Sequence, residues 1–425
     1  MKQDWWQGQT RFGVSPGLGR ISALLSRLEN PHNLYPAIHV AGTNGKGSVA
    51  AMLAAGLASQ GLTVGLYVSP DMGQVNDRVI INQKPLDEAE WDVCAEIIEE
   101  AGRDLDQMPT WFETITALAF LAFGRRRVDI AVIEVGLGGR LDATNVLPPP
   151  LLSVITPIAF DHMHYLGSTI AEIAGEKAGI LKSGTELVLA RQPFAQAAAV
   201  IGAMADRLDV PVIEVQQRAR VGPLGATLVT ASGEAVVVPL YGVYQAENLD
   251  TAWTALERLS ERGWVSDLGA ARRALAQVQW PGRFQVLSRK PLVVVDGAHN
   301  PHGMAGLMQT LQRDPWCQYR WHVVFGVLAD KSADEMLSTL GEEVAEVILT
   351  RVPSERGRDP YQLLSAVAIR SPVRVIPDPM QAVRTVRAQL TNNDALVVTG
   401  SLSLLAHLRQ CGLIAYEMAI DDDKK

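Results

Sequence analysis

Two α/β lobes are predicted, a larger one around a mostly parallel sheet and a smaller Rossmann-like one. Three observations carry that prediction. Short β-branched runs alternate with helical stretches from Pro36 to about Ala190, a pattern that needs crossover connections and a sheet covered on both faces. The pair Pro281-Gly282 then interrupts the helical pattern, and a second alternation follows it. The chain has 425 residues, more than a single hydrophobic core usually organises.

The first series of strands is expected at 37–41, 63–69, 129–135, 152–156 and 186–190. Around 218–240 the runs shorten to 226–230 and 235–239, with Ser232-Gly233 between them. That reads as an antiparallel hairpin appended to the parallel sheet. Helices are expected over 49–59, 247–262 and 267–278. The second series of strands falls at 292–295, 321–325, 346–350, 373–376 and 395–399. The domains are therefore drawn as residues 1–286 and 287–425.

Composition excludes several classes of function. Thirty-eight Lys and Arg against 46 Asp and Glu leave a net charge of −8, which argues against a protein that binds nucleic acid by neutralising phosphates. The start, residues 1–11, lacks a secretory apolar stretch, and the longest apolar run, 115–123, is too short for a membrane span. Cys94, Cys317 and Cys411 form no CxxC and read as reduced, buried thiols of a cytoplasmic protein. The terminal run 421–425 reads as a solvated tail.

The sharpest chemical signal is Gly42-Thr43-Asn44-Gly45-Lys46-Gly47-Ser48, set between an expected strand and an alanine-rich helix. A glycine turn there points backbone N–H groups and a helix N-terminus at one spot, which suits a polyphosphate. Lys46 adds charge for the β- and γ-phosphates, and the Ser48 hydroxyl suits Mg²⁺. The spacing is shorter than GxxxxGK[ST], but its strand–loop–helix setting makes the larger lobe P-loop NTPase-like.

Other candidates fall where neighbouring strands end. Ser69, Glu134 and Asp161-His162 each follow one, and in an open parallel sheet ligands bind outside the carboxyl ends. A hydroxyl, a carboxylate and an imidazole beside a triphosphate form a plausible Mg²⁺ site, with Mn²⁺ a substitute given the imidazole. A burial cost argues that Glu134 is functional, whereas His162 taken alone reads more readily as a structural histidine than as a ligand. Lys177, near a helix end, reads first as a salt-bridge partner or as a cation complementing the helix dipole. A last group comprises Tyr244-Gln245-x-x-Asn248, Arg283 and Asp296-Gly297-Ala298-His299-Asn300-Pro301. Asn300 fits an N-cap with Pro301 at the first helical position.

Taken in order, these stretches resemble the folylpolyglutamate synthase/dihydrofolate synthase family, within the Mur-type ATP-dependent amide ligases. The matching segments include AGTNGKGS (41–48), YVSP (67–70), WFETITALAF (111–120), IEVGLGGRLDATN (133–145) and ITPIAFDHMHYLG (155–167). They continue with GEKAGILK (175–182), YQAEN (244–248), PGRFQ (281–285), VDGAHNPHG (295–303) and VFGVLADK (324–331). The resemblance implies metal ligands at Ser69, Glu134 and His162, and catalytic roles for Lys46, Lys177 and His299. It implies that Lys177 is carried as a carbamate, an anion able to bind a second Mg²⁺. Nucleotide contacts map to Thr43–Ser48, Asn248, Arg283 and Asp296. The pterin pocket maps to Gly17, Leu18 and Arg20, to Thr110, Trp111, Phe112 and Glu113, and to Leu141, Asp142 and Ala143. Three stretches depart from the family pattern: SPH is Ser69-Pro70-Asp71, ERxRxxG is Asp77-Arg78-Val79-Ile80-Ile81-Asn82-Gln83, and HQxxN is Tyr244-Gln245-Ala246-Glu247-Asn248. The first two bear on substrate preference.

The activity implied is ATP-dependent addition of L-glutamate to dihydropteroate or to a reduced folate through an acyl phosphate, by a cytoplasmic monomer that binds neither nucleic acid nor membrane. The alternative is a monofunctional folylpolyglutamate synthase, and two less favoured readings also compete. A cell-wall precursor ligase carries a separate domain before the phosphate loop, and 41 residues before Gly42 are too few for one. A non-catalytic ATP-binding relative predicts loss of Glu134, His162 or Lys177, and all are present.

Overall fold

The computed structural model describes residues 16–340, 343–366 and 371–414, so the expected leaderless start (1–11) and solvated tail (421–425) lie outside the described residues. An eight-stranded sheet has the order β4-β3-β2-β5-β1-β6-β7-β8. Its members are β1 (Ala37–Ala41), β2 (Val64–Tyr67), β3 (Val79–Ile81), β4 (Lys84–Pro85), β5 (Ile130–Glu134), β6 (Leu152–Ile155), β7 (Leu187–Leu189) and β8 (Val212–Glu214). β1 is central, pairing in parallel with β5 and β6, and every residue of β1, β2, β5 and β6 is buried. Burial on both faces is why these strands read as continuous apolar runs rather than alternating ones.

The antiparallel strands of this sheet are β3 and β4, joined through Asn82 and Gln83, both with positive φ. The hairpin expected to extend the parallel sheet does form, as β10 (Gly225–Val229) and β11 (Ala235–Val238), but not there. It belongs to a separate three-stranded sheet completed by β9 (Arg220–Gly222). β9 occupies the outer edge of β10, so that hairpin edge is already paired.

A third sheet runs β12-β13-β17-β14-β15-β16: β12 (Gln285–Arg289), β13 (Leu292–Val295), β14 (Arg320–Phe325), β15 (Glu346–Leu349), β16 (Val373–Val375) and β17 (Asp394–Thr399). All its pairs are parallel except the edge pair β12–β13. The described chain divides into two compact units. The first holds residues up to Ala159, Met163–Gln217 and Asn248–Leu275; the second holds Phe160–His162, Arg218–Glu247 and Ala276 onward.

Helix starts follow the side chains that cap them. Thr110 and Glu113 form a capping box on the helix Trp111–Arg125, and Thr169 and Glu172 form one on Ile170–Ala178. The helix Lys46–Ala58 is buried from Gly47 to Leu57, which explains its uniformly small and apolar sequence. No described helix is long and apolar enough to cross a membrane. The cysteine expectation is corrected: Cys94 is buried, but Cys317, in a 3₁₀ turn, and Cys411, at a helix C-cap, are exposed.

Candidate functional site

In the first unit β1 delivers the chain into Gly42-Thr43-Asn44-Gly45, and the helix Lys46–Ala58 begins on the next residue. Gly42 and Gly45 take φ values of +141° and +92°. A Cβ on Gly42 would stand 1.9 Å from Thr156 Oγ1, and one on Gly45 2.2 Å from Asn248 Oδ1. Only glycine fits both the conformation and the space. Thr43 anchors the loop: its N–H donates to Pro157 O at 3.0 Å, its hydroxyl donates to Ala159 O at 3.1 Å, and it accepts from the Ala159 N–H at 3.1 Å. Asn44, Gly47 and Ser48 complete a turn whose amides and helix N-terminus form the positive end of a dipole.

Charged side chains surround that turn. Lys46 Nζ donates to Thr43 O at 3.3 Å and lies 3.9 Å from Glu134 Oε1. Glu134 ends β5, is 3% exposed, and through Oε2 accepts the Ser69 N–H at 3.2 Å. Lys177 does sit in the last turn of its helix, as the dipole reading requires, yet it is buried and its Nζ donates across to Gly42 O at 2.7 Å. Two ammonium groups on the carbonyls of one glycine loop, with a carboxylate beside one of them, suit an anionic ligand that carries its own cation. Among the described residues no three His, Cys, Asp or Glu side chains group to hold a metal. Glu134 and Ser69 instead supply one carboxylate and one hydroxyl, a donor set that fits an ion whose shell is completed by phosphate oxygens and water.

A second group in this unit knits three segments. Arg20 Nε, on the helix Gly19–Arg27 that follows Gly17 and Leu18, donates to Glu113 Oε2 at 3.0 Å, and the same oxygen takes the Thr110 N–H at 2.7 Å. Glu113 is 4% exposed and its Oε1 has no partner among the described residues. A buried carboxylate oxygen without a donor is costly and marks a place for one. Trp111 lies under the Arg78 guanidinium, 4.8 Å from it, and Phe112 packs against Tyr67 at 6.3 Å between ring centroids. Between Leu141 and Ala143, Asp142 caps the 3₁₀ turn Ala143–Val146, accepting from Leu137 N, Thr144 N and Thr144 Oγ1 at 2.8, 3.0 and 2.6 Å. Burial raises the Asp142 carboxyl above its ordinary range, against these hydrogen bonds. The departing residues Asp71 and Arg78 form a buried ion pair of 2.9 Å, which ties together the loop after Ser69.

The remaining candidates lie in the second unit. Asp296 directly follows β13 and accepts from Phe284 N and Ala298 N, each at 2.8 Å, and from the Tyr244 hydroxyl. Arg283 Nη1 donates to Gly297 O at 3.5 Å. His299 Nδ1 lies 2.8 Å from the same carbonyl, so Nδ1 carries a proton. Asn300 is the N-cap of the helix Pro301–Leu311, as expected.

His162, at φ +50°, belongs to a knot around Asp161. Asp161 Oδ1 accepts from Lys331 Nζ at 2.6 Å and from the His162 N–H at 2.8 Å, while Oδ2 accepts from Asn300 Nδ2 at 3.0 Å and lies 3.5 Å from His299 Nε2. Lys331 Nζ also stands 3.1 Å from His162 Nε2. Desolvation alone would raise the Asp161 carboxyl, but His299, Lys331 and His162 hold it well below the carboxylate range. Desolvation brings His162 down to about 4, against the pull of Asp161. Sequence reasoning named Asp161 beside His162 without giving it a role, and passed over Lys331 as a functional residue. The one signal was the Asp-His pair just past a strand end.

Comparison with known proteins agrees along the chain. Residues 40–256 match the Mur ligase middle domain, and residues 282–402 match the Mur ligase glutamate ligase domain. A curated relative from Bacillus subtilis, named dihydrofolate synthase/folylpolyglutamate synthase, is 36% identical over 96% of this chain and 97% of its own length. Mycobacterium tuberculosis folylpolyglutamate synthase, solved with ADP and AMPPCP, is 34% identical with a TM-score of 0.86 over 93% of this chain and 95% of that one. An Escherichia coli structure described as FolC with DHPP and ADP is 29% identical, with a TM-score of 0.82 over 96% and 95%.

Proposed function

Because the chain belongs to the dihydrofolate synthase/folylpolyglutamate synthase family of Mur ligases, an ADP-forming acid–amino-acid ligase family, we propose that it joins L-glutamate to the carboxylate of dihydropteroate and to the terminal carboxylate of a reduced folate. The single observation that carries this reading is the convergence of Lys46, Lys177 and Glu134 on the glycine loop Gly42–Gly45.

In this reading ATP lies with its phosphates on the loop amides and Lys46. The pterin carboxylate attacks the γ-phosphate, the bond from that phosphorus to the bridging oxygen breaks, and ADP leaves an acyl phosphate. The glutamate amine then adds to the acyl carbon, loses a proton and expels phosphate. Phosphoryl transfer demands positioning and charge neutralisation more than covalent help. The amides at the start of the helix Lys46–Ala58 and the Lys46 ammonium supply both without reorganising. Glu134 and Ser69 would hold Mg²⁺, which supplies charge neutralisation on the transferring phosphate. Lys177, buried against Gly42 O, is assigned the carbamate, and His162 and His299 are assigned to the metal and to the acyl-transfer end of the site. Asn248, Arg283 and Asp296 are assigned to the nucleotide.

The pterin reading rests on the orphaned Glu113 Oε1. A pterin ring offers the amino and ring N–H donors that a buried carboxylate oxygen needs, and Trp111 and Phe112 offer aromatic surface for it. We further infer a cytoplasmic monomer. ADP release is the test: it is expected to require L-glutamate together with dihydropteroate or with tetrahydrofolate. Release that neither pterin stimulates in the presence of glutamate overturns the proposal.

A further inference from the structure

Lys331 lies outside every role assigned so far, yet it makes two of the contacts in the Asp161 knot. Its side chain is 7% exposed, as is that of Asp161. An ammonium has three donors and no lone pair, so in the 3.1 Å contact with His162 Nε2 the lysine donates and the imidazole accepts. That fixes the imidazole: Nε2 is unprotonated and the ring proton sits on Nδ1. The His162 ring is also held at its root, because its backbone N–H donates to the same Asp161 oxygen that accepts from Lys331. Asn300 and His299 occupy the other oxygen of Asp161. The carboxylate is therefore a fixed post, and the ammonium tethered to it covers the one lone pair on the ring.

We propose that Lys331 is a positioning residue that acts through His162: its ammonium, anchored on Asp161, occupies the Nε2 lone pair when no metal is there, so that a divalent ion reaching His162 exchanges with a tethered cation. Lys331 keeps the ring in the tautomer a metal requires and opposes loading by an ion alone, without an anionic nucleotide to offset the added charge. A lysine that merely neutralised Asp161 would do neither.

The inference rests on His162 facing the metal, so the experiment separates the two claims. Mn²⁺ is titrated into the full chain by electron paramagnetic resonance, in the absence of nucleotide and with AMPPCP, for the unmutated protein, Lys331→Met, His162→Ala and the double variant. Lys331→Met is expected to bind Mn²⁺ alone at least about fivefold tighter, with a smaller gain when AMPPCP is present, and the gain is expected to vanish in the double variant. Unchanged or weaker binding by Lys331→Met, or a gain that survives His162→Ala, overturns the inference. If His162→Ala leaves Mn²⁺ affinity unaltered in every state, the metal assignment of His162 fails, and this inference with it. Should Lys331→Met not fold, histidine ¹⁵N spectra of the unmutated chain decide: Nε2 of His162 is expected to be the unprotonated nitrogen before metal is added and to broaden with Mn²⁺, while a protonated Nε2 at neutral pH contradicts the contact.

Discussion

The glycine loop of the first unit and the Asp161 knot of the second both lie beyond strand ends of parallel sheets, but they are built from different material. The loop is main chain: Gly42 and Gly45 in the left-handed region, Thr43 tied to Pro157 and Ala159, and lysines resting on the carbonyls of Thr43 and Gly42. The knot centres on a side chain: the Asp161 carboxylate, shared among the Lys331 ammonium, the Asn300 amide, the His299 ring and the His162 main-chain N–H. A main-chain site tolerates no added Cβ, whereas a side-chain site tolerates no lost partner. Each therefore breaks in its own way.

The largest effect is expected from Gly45→Ala. The new Cβ would strike Asn248 Oδ1 in a conformation that L-residues avoid, and we expect nucleotide-dependent turnover to fall by about 10²-fold or more, the scale of losing preorganised donors. Calorimetric titration with ADP should show the loss at the binding step, and retained ADP affinity would break the distinction. Next comes Asp161→Ala, which strands a buried ammonium. A destabilisation of about 3–5 kcal/mol is expected, read by denaturant titration with hydrogen exchange localised to residues 296–331. Protection that falls evenly over the whole chain would show that the knot is not local.

How much of this was legible follows from the same contrast. Glycine loops announce themselves, because a residue without a Cβ between a strand and a helix has few other reasons to be there, and the buried central strands of both sheets were marked by their uninterrupted apolar runs, whereas the edge strands β8 and β12, only partly buried, were not. The Asp161–Lys331 pair spans 170 positions, and no local pattern couples residues so far apart. The strands β3 and β4 were missed because their turn is Asn82-Gln83, where glutamine stands in place of the glycine that usually marks a two-residue hairpin. The hairpin β10–β11 was recognised from its turn, but the strand that pairs with its edge is a tertiary fact. The exposure of Cys317 and Cys411 depends on where a short turn and a helix end face, which composition does not record.

Smaller effects sharpen the comparison. In the first unit His39, fully buried in β1, donates through Nε2 to Thr144 Oγ1 at 2.9 Å, because that hydroxyl gives its own proton to Asp142. Burial, with Lys182 nearby, brings His39 down to about 3, and burial brings His32 to about 4. Both folded values lie below the unfolded one of about 6.5, so the unfolded chain binds more protons between them. Stability is thus complete above pH ~6.5 and is lost as pH falls toward ~3. His39→Gln should flatten this acid limb in urea titrations at stepped pH, and an unchanged limb would rule out the buried imidazole as its source. The smallest effect is expected of Tyr244→Phe in the second unit. It removes one of three donors to Asp296, costs about 1 kcal/mol, and should raise the KM for ATP more than that for the pterin, whereas equal shifts would remove Asp296 from the nucleotide side.

The most direct measurement is the mass of the products formed by the full chain from ATP and L-glutamate with dihydropteroate and with tetrahydrofolate in separate reactions. Each pterin should return heavier by glutamyl residues, with one ADP formed per residue added. Pterins recovered at their starting mass, from protein that still binds ADP, would contradict the assignment.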